Sequence, residues 1–243
     1  MFAEILFLIA ISFAAPVIYL VIIRNSERYE RERWSAIKTA FLWGALPAAF
    51  LASMINTRVM EDFGIFVAAV LVAPFVEELI KPIGILQRVK GEVNEVEDGI
   101  IFGVACAMGF AAVENVAYMF QDLEEFGGAI ALSTVIGRSI SAVLLHASAT
   151  AFTGYGIAKA ILAKRSVFTA IPYYLVAVFL HGAYNFIVSI GTKEQYFENL
   201  REVTAEQSTF VSLVTILLTV VSFSVVYIMV RRAEETKSAA GWD

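Results

Sequence analysis

The sequence predicts an all-α, polytopic membrane protein in which residues 1–243 form a single domain of about seven transmembrane helices. Hydrophobic residues make up 59% of the chain, and the mean hydropathy is +0.73. That is more apolar surface than a single soluble core of this size buries. Apolar runs of bilayer-spanning length alternate with short charged segments, which leave no room for a separate soluble domain.

Seven runs carry this prediction. Each has about 20 or more mainly apolar residues, the length that a helix needs to cross the hydrocarbon core. The first run is too long for a signal-peptide core and has no positive charge before it, so we expect it to be retained. The runs are Phe2–Ile23, Ile37–Asn56, Phe63–Leu86, Gly99–Phe120, Gly128–Ala158, Phe168–Ile190 and Phe210–Val230.

The distribution of Lys and Arg predicts the orientation. With the amino terminus outside, 13 of the 18 basic residues fall in cytoplasmic segments, and only Arg58, Lys193 and Arg201 fall outside. The positive-inside rule therefore favours an external amino terminus and a cytoplasmic carboxyl terminus. The net charge of −5 and the lack of a long basic patch argue against a nucleic-acid partner. A lone Cys106 excludes disulfide frameworks and cysteine-based metal sites.

Ionisable and amide side chains occur inside the third to sixth runs. Each charged group at the bilayer centre costs at least ~2.5–3.5 kcal/mol, so these groups must face one another or a water-filled cavity. Intramembrane ionisable residues are by default candidates for a functional site. The set consists of Glu77, Glu78 and Lys81 in the third run, Glu114 and Asn115 in the fourth, Arg138 and His146 in the fifth, and His181 and Asn185 in the sixth.

Helical spacing indicates how part of this set converges. Lys81 follows Glu77 by four residues and Glu78 by three, so its ammonium can lie over both carboxylates. Two prolines, Pro74 and Pro82, each remove a backbone hydrogen bond, and we expect a broken or kinked helix that admits water beside the glutamates. In the fifth and sixth runs, Ser139, His146, Thr150 and Thr153 are spaced to form one polar stripe, and His181 shares a helix face with Asn185.

These residues resemble a known family. Residues 77–81 (EELIK) resemble the EExxK motif of the PrsW family of intramembrane peptidases, and residues 110–115 (FAAVEN) resemble its second motif. The surroundings of His146 and the pattern His181-x-x-x-Asn185 are similar to the last two motifs, in the same order. The likeness covers about residues 63–190, which we interpret as a catalytic core of four helices.

The PrsW family resembles, in turn, the CAAX prenyl endopeptidases and their bacterial homologues. Their motif reads EExxxR, with a later FxxxH and HxxxN. This chain departs from that pattern because Lys81 stands one position before the arginine and Glu114 occupies the histidine position. The departures favour the PrsW branch.

The resemblance implies hydrolysis of a peptide bond within or beside the bilayer of the cell membrane by a glutamate-activated water. Glu77 is then the expected general base, with Glu78 pairing Lys81. His181 and Asn185 would stabilise the oxyanion, and His146 would orient the water or protonate the leaving amine. Supporting roles fall to Lys81, Glu114, Asn115 and Arg138. The implied substrate is a single-span, membrane-anchored protein of the anti-sigma-factor kind, and no cofactor is expected.

Three other functions remain open at this stage. A zinc-dependent metallopeptidase would use His146, His181 and a glutamate as ligands, although no HExxH pair is present. A proton-coupled transporter would use the same groups as a proton relay, although no inverted repeat is visible. A non-catalytic scaffold would leave the cost of the buried charges unexplained. The substrate, the oligomeric state and the choice between the two glutamates are not determined by the sequence.

Overall fold

A computed structural model of the protein describes residues 2–27, 31–191 and 204–240, and every regular element in these ranges is helical. The all-α prediction is therefore confirmed. The principal helices are α1 (Phe2–Ser26), α2 (Trp34–Phe63), α3 (Ala73–Ile80), α4 (Val96–Glu125), α5 (Gly128–Ile140), α6 (Ala142–Leu162), α7 (Ile171–Gly191) and α8 (Ala205–Ala240).

Six helical stretches in the described ranges are long and apolar enough to cross a membrane. The predicted count of about seven helices agrees with these six together with the shorter α3. The predicted orientation remains a prediction, and two of the residues on which it rests, Lys193 and Arg201, lie outside the described residues. The six stretches are Phe2–Ser26, Trp34–Phe63, Val96–Glu125, Gly128–Leu162, Val167–Ile190 and Glu206–Arg232.

The third apolar run folds as short pieces. A π-helical turn, Val67–Val72, precedes α3, whose first turn contains Pro74 and which ends at Ile80. Pro82 follows directly, as expected from a residue that cannot continue the hydrogen-bonding pattern of a helix. The two glutamates of α3 therefore lie between a π-helical turn on one side and a proline on the other.

The fifth apolar run is also broken. Its two helices, α5 and α6, meet at Ser141, where φ is −117° and ψ is −76°. The expectation that Ser139 shares one continuous stripe with His146 is therefore wrong, because the break places Ser139 on α5. His146, Thr150 and Thr153 remain on one helix, α6, and all three are buried.

Helix α4 lies at the centre of the bundle. In its most apolar 18-residue window, 78% of residues are buried, against 22–39% in the other five spanning stretches. It packs most extensively against α6, and small residues make this contact close. A Cβ atom added at Gly103 would lie 2.7 Å from the backbone carbonyl oxygen of Thr150. The two central helices are thereby fixed at a separation that brings His146 of α6 beside Glu114 of α4.

Candidate active site

Glu78 lies at the centre of a buried polar network. Its Oε1 accepts a hydrogen bond from Lys81 Nζ at 2.8 Å and lies 2.9 Å from His181 Nδ1. Its Oε2 accepts a hydrogen bond from Thr150 Oγ1 at 2.8 Å. The side chains of Glu78 and Lys81 are both 0% exposed, so neither charge is stabilised by solvent. Both oxygens of Glu78 are engaged in holding α3, α6 and α7 together.

Glu77 is placed differently from its neighbour. Its Oε1 accepts a hydrogen bond from Asn56 Nδ2 at 3.1 Å. Its Oε2 is 3.1 Å from Lys81 Nζ, which is an ion-pair distance, but the approach is outside hydrogen-bond geometry and this oxygen accepts no hydrogen bond from the described residues. Glu77 also lines the large cavity described below. One oxygen of Glu77 is thus held in place while the other is available for chemistry.

The ammonium group of Lys81 contacts side chains of both α3 and α6. Besides the two glutamates, its Nζ contacts His146 Nδ1 at 2.9 Å and lies 4.3 Å from the centroid of the Phe110 ring. An ammonium has only donors, so His146 Nδ1 must be the acceptor in this contact. The hydrogen on His146 is therefore assigned to Nε2, which lies 2.8 Å from Glu114 Oε2.

The same reasoning assigns the hydrogen of His181. Its Nδ1 faces the Glu78 carboxylate, which accepts hydrogen bonds, so Nδ1 carries the hydrogen and Nε2 keeps its lone pair. Nε2 lies 3.9 Å from Glu77 Oε2. The two imidazole rings meet edge to face, with centroids 5.0 Å apart. A basic nitrogen and a carboxylate oxygen consequently lie side by side in a buried position.

Glu114, Arg138 and Asn115 form a second ionic group that adjoins the first. Arg138 Nη2 donates a hydrogen bond to Glu114 Oε2 at 2.6 Å, and Arg138 Nε donates one to Asn115 Oδ1 at 3.0 Å. The guanidinium also lies 3.9 Å from the centroid of the Tyr118 ring. Since Glu114 also contacts His146, this group is linked to the glutamates of α3 through one imidazole.

A cavity of about 1130 Å³ opens beside this network between α2, α3, α4, α6 and α7. Several of the polar groups already described line it, and most of the remaining wall is apolar. This combination of a largely apolar concave wall with a few convergent polar groups is typical of a binding site. The polar lining residues include Asn56, Glu77, Glu114, Arg138, His146, His181 and Asn185, and the apolar ones include Leu46, Phe50, Met60, Ile65, Phe110, Val113 and Val188.

Asn185 lies in the cavity wall with its amide directed at the backbone. Its Nδ2 donates a hydrogen bond to the carbonyl oxygen of Ala69 at 2.7 Å, inside the π-helical turn before α3. A π-helical turn leaves backbone groups outside the regular α-helical pattern, and this bond satisfies one of them. In this arrangement one amide hydrogen of Asn185 supports the backbone that leads into Glu77.

The structure adds two residues whose roles the sequence reasoning missed. Asn56 holds Glu77 from α2, and Phe110 packs its ring against Lys81 and, with a centroid distance of 5.5 Å, against His146. Asn56 left one signal in the sequence, since it is an amide at the end of an otherwise apolar run. Phe110 stands at the start of the FAAVEN segment, but its role could not be predicted from the sequence because an aromatic residue in a transmembrane helix is common.

The donor atoms of Glu77, His146 and His181 lie within 4.8 Å of one another, and all three side chains are buried. This set has the residue types of a catalytic zinc site with two histidines and one carboxylate. The other ring nitrogen of each histidine contacts a carboxylate, Glu114 for His146 and Glu78 for His181. Carboxylates in this position commonly orient metal-bound histidines, so the residues fit a metal ion in type and in orientation.

Comparison with known proteins gives a consistent result. A family model described as PrsW family intramembrane metalloprotease matches residues 32–229. Protease PrsW of Clostridioides difficile (strain 630) is 29% identical over 181 residues, 69% of this chain and 73% of the relative. Protease PrsW of Geobacillus kaustophilus (strain HTA426) is 27% identical over 200 residues, 79% of this chain and 84% of the relative.

A shorter match, to Protease PrsW of Shouchella clausii (strain KSM-K16), is 33% identical over 101 residues and covers 41% of this chain and 43% of the relative. No solved structure matches the chain. The family model covers most of the chain, including all the buried ionisable residues of α3, α4, α6 and α7. This chain therefore belongs to the PrsW family of intramembrane proteases.

Proposed function

We propose that this protein cleaves peptide bonds of single-span, membrane-anchored proteins by means of a water molecule activated by Glu77. The observation that carries the proposal is the position of Glu77, whose side chain lines a large cavity: one carboxylate oxygen is fixed by Asn56, and the other accepts no hydrogen bond from the described residues and lies 3.9 Å from His181 Nε2. A general base needs a held carboxylate with a free lone pair within reach of the reacting water, and Glu77 meets this requirement. Glu78, whose two oxygens are both hydrogen-bonded, serves as the fixed partner of Lys81 and His181.

The hydrolysis follows from these positions. Glu77 takes a proton from water as the water oxygen forms a bond with the carbonyl carbon of the substrate. The carbon–nitrogen bond then breaks, and the leaving amine receives the proton from Glu77, which regenerates the carboxylate. The tetrahedral intermediate carries its charge on the former carbonyl oxygen, and donors positioned for that charge lower the barrier. Lys81 and Arg138 supply positive charge at the cavity through their contacts with Glu77 and Glu114.

His181 and His146 have different roles in this scheme. His181 Nε2 and Glu77 Oε2 lie 3.9 Å apart, and one water oxygen placed beside them can hydrogen-bond to both. His146 Nε2–H points to Glu114, which makes His146 a link between the carboxylate–arginine pair and the glutamates. Asn185 Nδ2 donates one of its two hydrogens to the carbonyl oxygen of Ala69, which supports the segment before α3, and its second N–H is the oxyanion donor in this scheme.

A metal-dependent route is the second candidate, favoured by the donor set of Glu77, His146 and His181 and by the word metalloprotease in the description of the family model. When bound, zinc supplies a Lewis acid that polarises a carbonyl group and acidifies water. In this structure the ammonium of Lys81 contacts two of these three ligands, Glu77 and His146. Lys81 would therefore have to withdraw, and the lysine and the metal would compete for the same donors.

Cleavage is tested with purified full-length protein in proteoliposomes and a panel of single-span membrane proteins. Products of the wild type, Glu77→Gln and a matched control, Glu61→Gln, are identified by mass spectrometry. Glu61 is exposed on α2 and forms an ion pair with Arg58. We expect Glu77→Gln to lose at least about 10²-fold in rate, and Glu61→Gln to cleave like the wild type. Equal cleavage by all three proteins would overturn the assignment of Glu77.

Metal analysis then separates the two routes. The protein is treated with a strong chelator until the metal content is constant, and the activity and the metal content are measured together. Activity without bound metal supports the glutamate route. Activity that follows zinc occupancy, with metal lost in His181→Ala, would replace it by the metal route and keep Glu77 in the site. Because the metal content is measured directly, a buried metal ion that is released slowly cannot be mistaken for activity without metal.

A further inference from the structure

A second cluster of buried acidic groups lies where the connection after α1 meets the start of α4. None of its residues lines the cavity. Glu27, Glu32 and Asp98 each place a carboxylate oxygen within 4.8 Å of the others. Their exposures are 3%, 7% and 1%, so solvent does not compensate the charges. Three buried carboxylates at this separation repel one another unless protons or a cation neutralise them.

The carboxylates are held in this arrangement by the backbone. Glu27 Oε2 accepts a hydrogen bond from the backbone N–H of Glu32 at 3.0 Å. Asp98 Oδ2 accepts hydrogen bonds from the backbone N–H groups of Asn94 and Glu95, both at 2.7 Å, as part of the capping box that begins α4. Several backbone N–H groups therefore hold these like-charged side chains in place.

One oxygen of the cluster has no donor. Glu27 Oε1 is buried and makes no hydrogen bond with the described residues. A buried carboxylate oxygen without a partner is costly. Among the described residues no donor satisfies this oxygen, which makes it a candidate ligand position.

From this geometry we infer that Glu27, Glu32 and Asp98 form a binding site for a divalent cation of the calcium class. The three oxygens lie within 4.8 Å of one another, so one cation can contact all three. Calcium binds oxygen ligands at 2.3–2.6 Å with flexible geometry, whereas magnesium requires about 2.0–2.1 Å and strict octahedral geometry. An all-oxygen donor set likewise favours a hard cation over zinc.

A cation at this position would tie the connection between α1 and α2 to the first turn of the central helix. It would satisfy Glu27 Oε1 and remove the repulsion among the three carboxylates. This site is separate from the peptidase cavity, so its test does not depend on the proposed catalytic function.

The test uses chelator-treated full-length protein in detergent and isothermal titration with calcium chloride, then with magnesium chloride. We expect calcium to bind in a 1:1 ratio and more tightly than magnesium. The variants Glu27→Gln and Glu32→Gln should weaken calcium binding by about tenfold or more, since ligand charge sets affinity in such sites. The control Glu124→Gln, at an exposed position of α4, should bind calcium like the wild type.

Thermal unfolding gives a second measurement that does not require the variants. Calcium at about 100-fold above its Kd should raise the melting temperature of the wild type by about 5 °C. If the cluster holds only shared protons, calcium will leave the melting temperature unchanged and Glu27→Gln will be neutral or stabilising. Either that result or calcium binding that is unaffected by Glu27→Gln and Glu32→Gln would overturn the proposal.

Discussion

Replacement of Lys81 by methionine tests whether the buried charges of the site are held as one network. Lys81 Nζ is 2.8 Å from Glu78 Oε1 and 3.1 Å from Glu77 Oε2, in a side chain that is 0% exposed. At an effective dielectric constant of about 20, each of these pairs contributes roughly 5–6 kcal/mol of gross attraction at these distances. Desolvation offsets much of that attraction.

The net effect follows from what the substitution leaves behind. Methionine preserves the length and apolar stem of the side chain but leaves two buried carboxylates without their ammonium. Loss of one partner of a buried ion pair typically costs roughly 3–5 kcal/mol. We therefore expect Lys81→Met to lower the free energy of unfolding by about that amount. The matched control Lys159→Met, at an exposed position near Tyr155 and Tyr173, should cost less than about 1 kcal/mol.

The assay is equilibrium unfolding in mixed micelles as the fraction of anionic detergent is raised, followed by circular dichroism in the presence of a chelator. The double variant Glu78→Gln/Lys81→Met should lose less than the sum of its single variants, with a coupling of about 1–3 kcal/mol. A cost for Lys81→Met similar to that of Lys159→Met, together with additive effects in the double variant, would refute this account of the network.

Three further predictions concern positioning, packing and topology. Asn56→Ala should lower kcat about tenfold, because Asn56 holds one carboxylate oxygen of Glu77 in place; an unchanged kcat in steady-state cleavage assays would contradict it. Gly103→Leu should destabilise the bundle by about 1–3 kcal/mol in the same unfolding assay, because its Cβ would press on the carbonyl of Thr150. Cysteines placed at Asn94 and Asp122 should react with an impermeant reagent from opposite sides of the membrane, the first from the cytoplasm, since α4 lies between them; labelling from one side would contradict the topology.

Several features were determined by the sequence alone. Apolar runs of spanning length fix an all-α membrane fold, because lipid offers no hydrogen bonds to the backbone and helices satisfy their own. The spacing of Glu77, Glu78 and Lys81 predicted the ion pairs within α3, since these contacts are local along one helix. The cost of intramembrane charge also identified the residues that had to converge, including Arg138 with Glu114.

Other features were decided only by the tertiary structure. The two glutamates are adjacent in sequence and chemically identical, and only the packing of α2, α6 and α7 gives Glu78 two satisfied oxygens and leaves Glu77 facing the cavity. The contribution of Asn56 likewise depends on a contact between two different helices, α2 and α3. The cluster of Glu27, Glu32 and Asp98 has the same origin, because Asp98 follows the two glutamates by 66 or more positions and meets them only through packing at the start of the central helix. Local periodicity specifies which side chains share a helix face, whereas the neighbours of each atom are set by packing between helices.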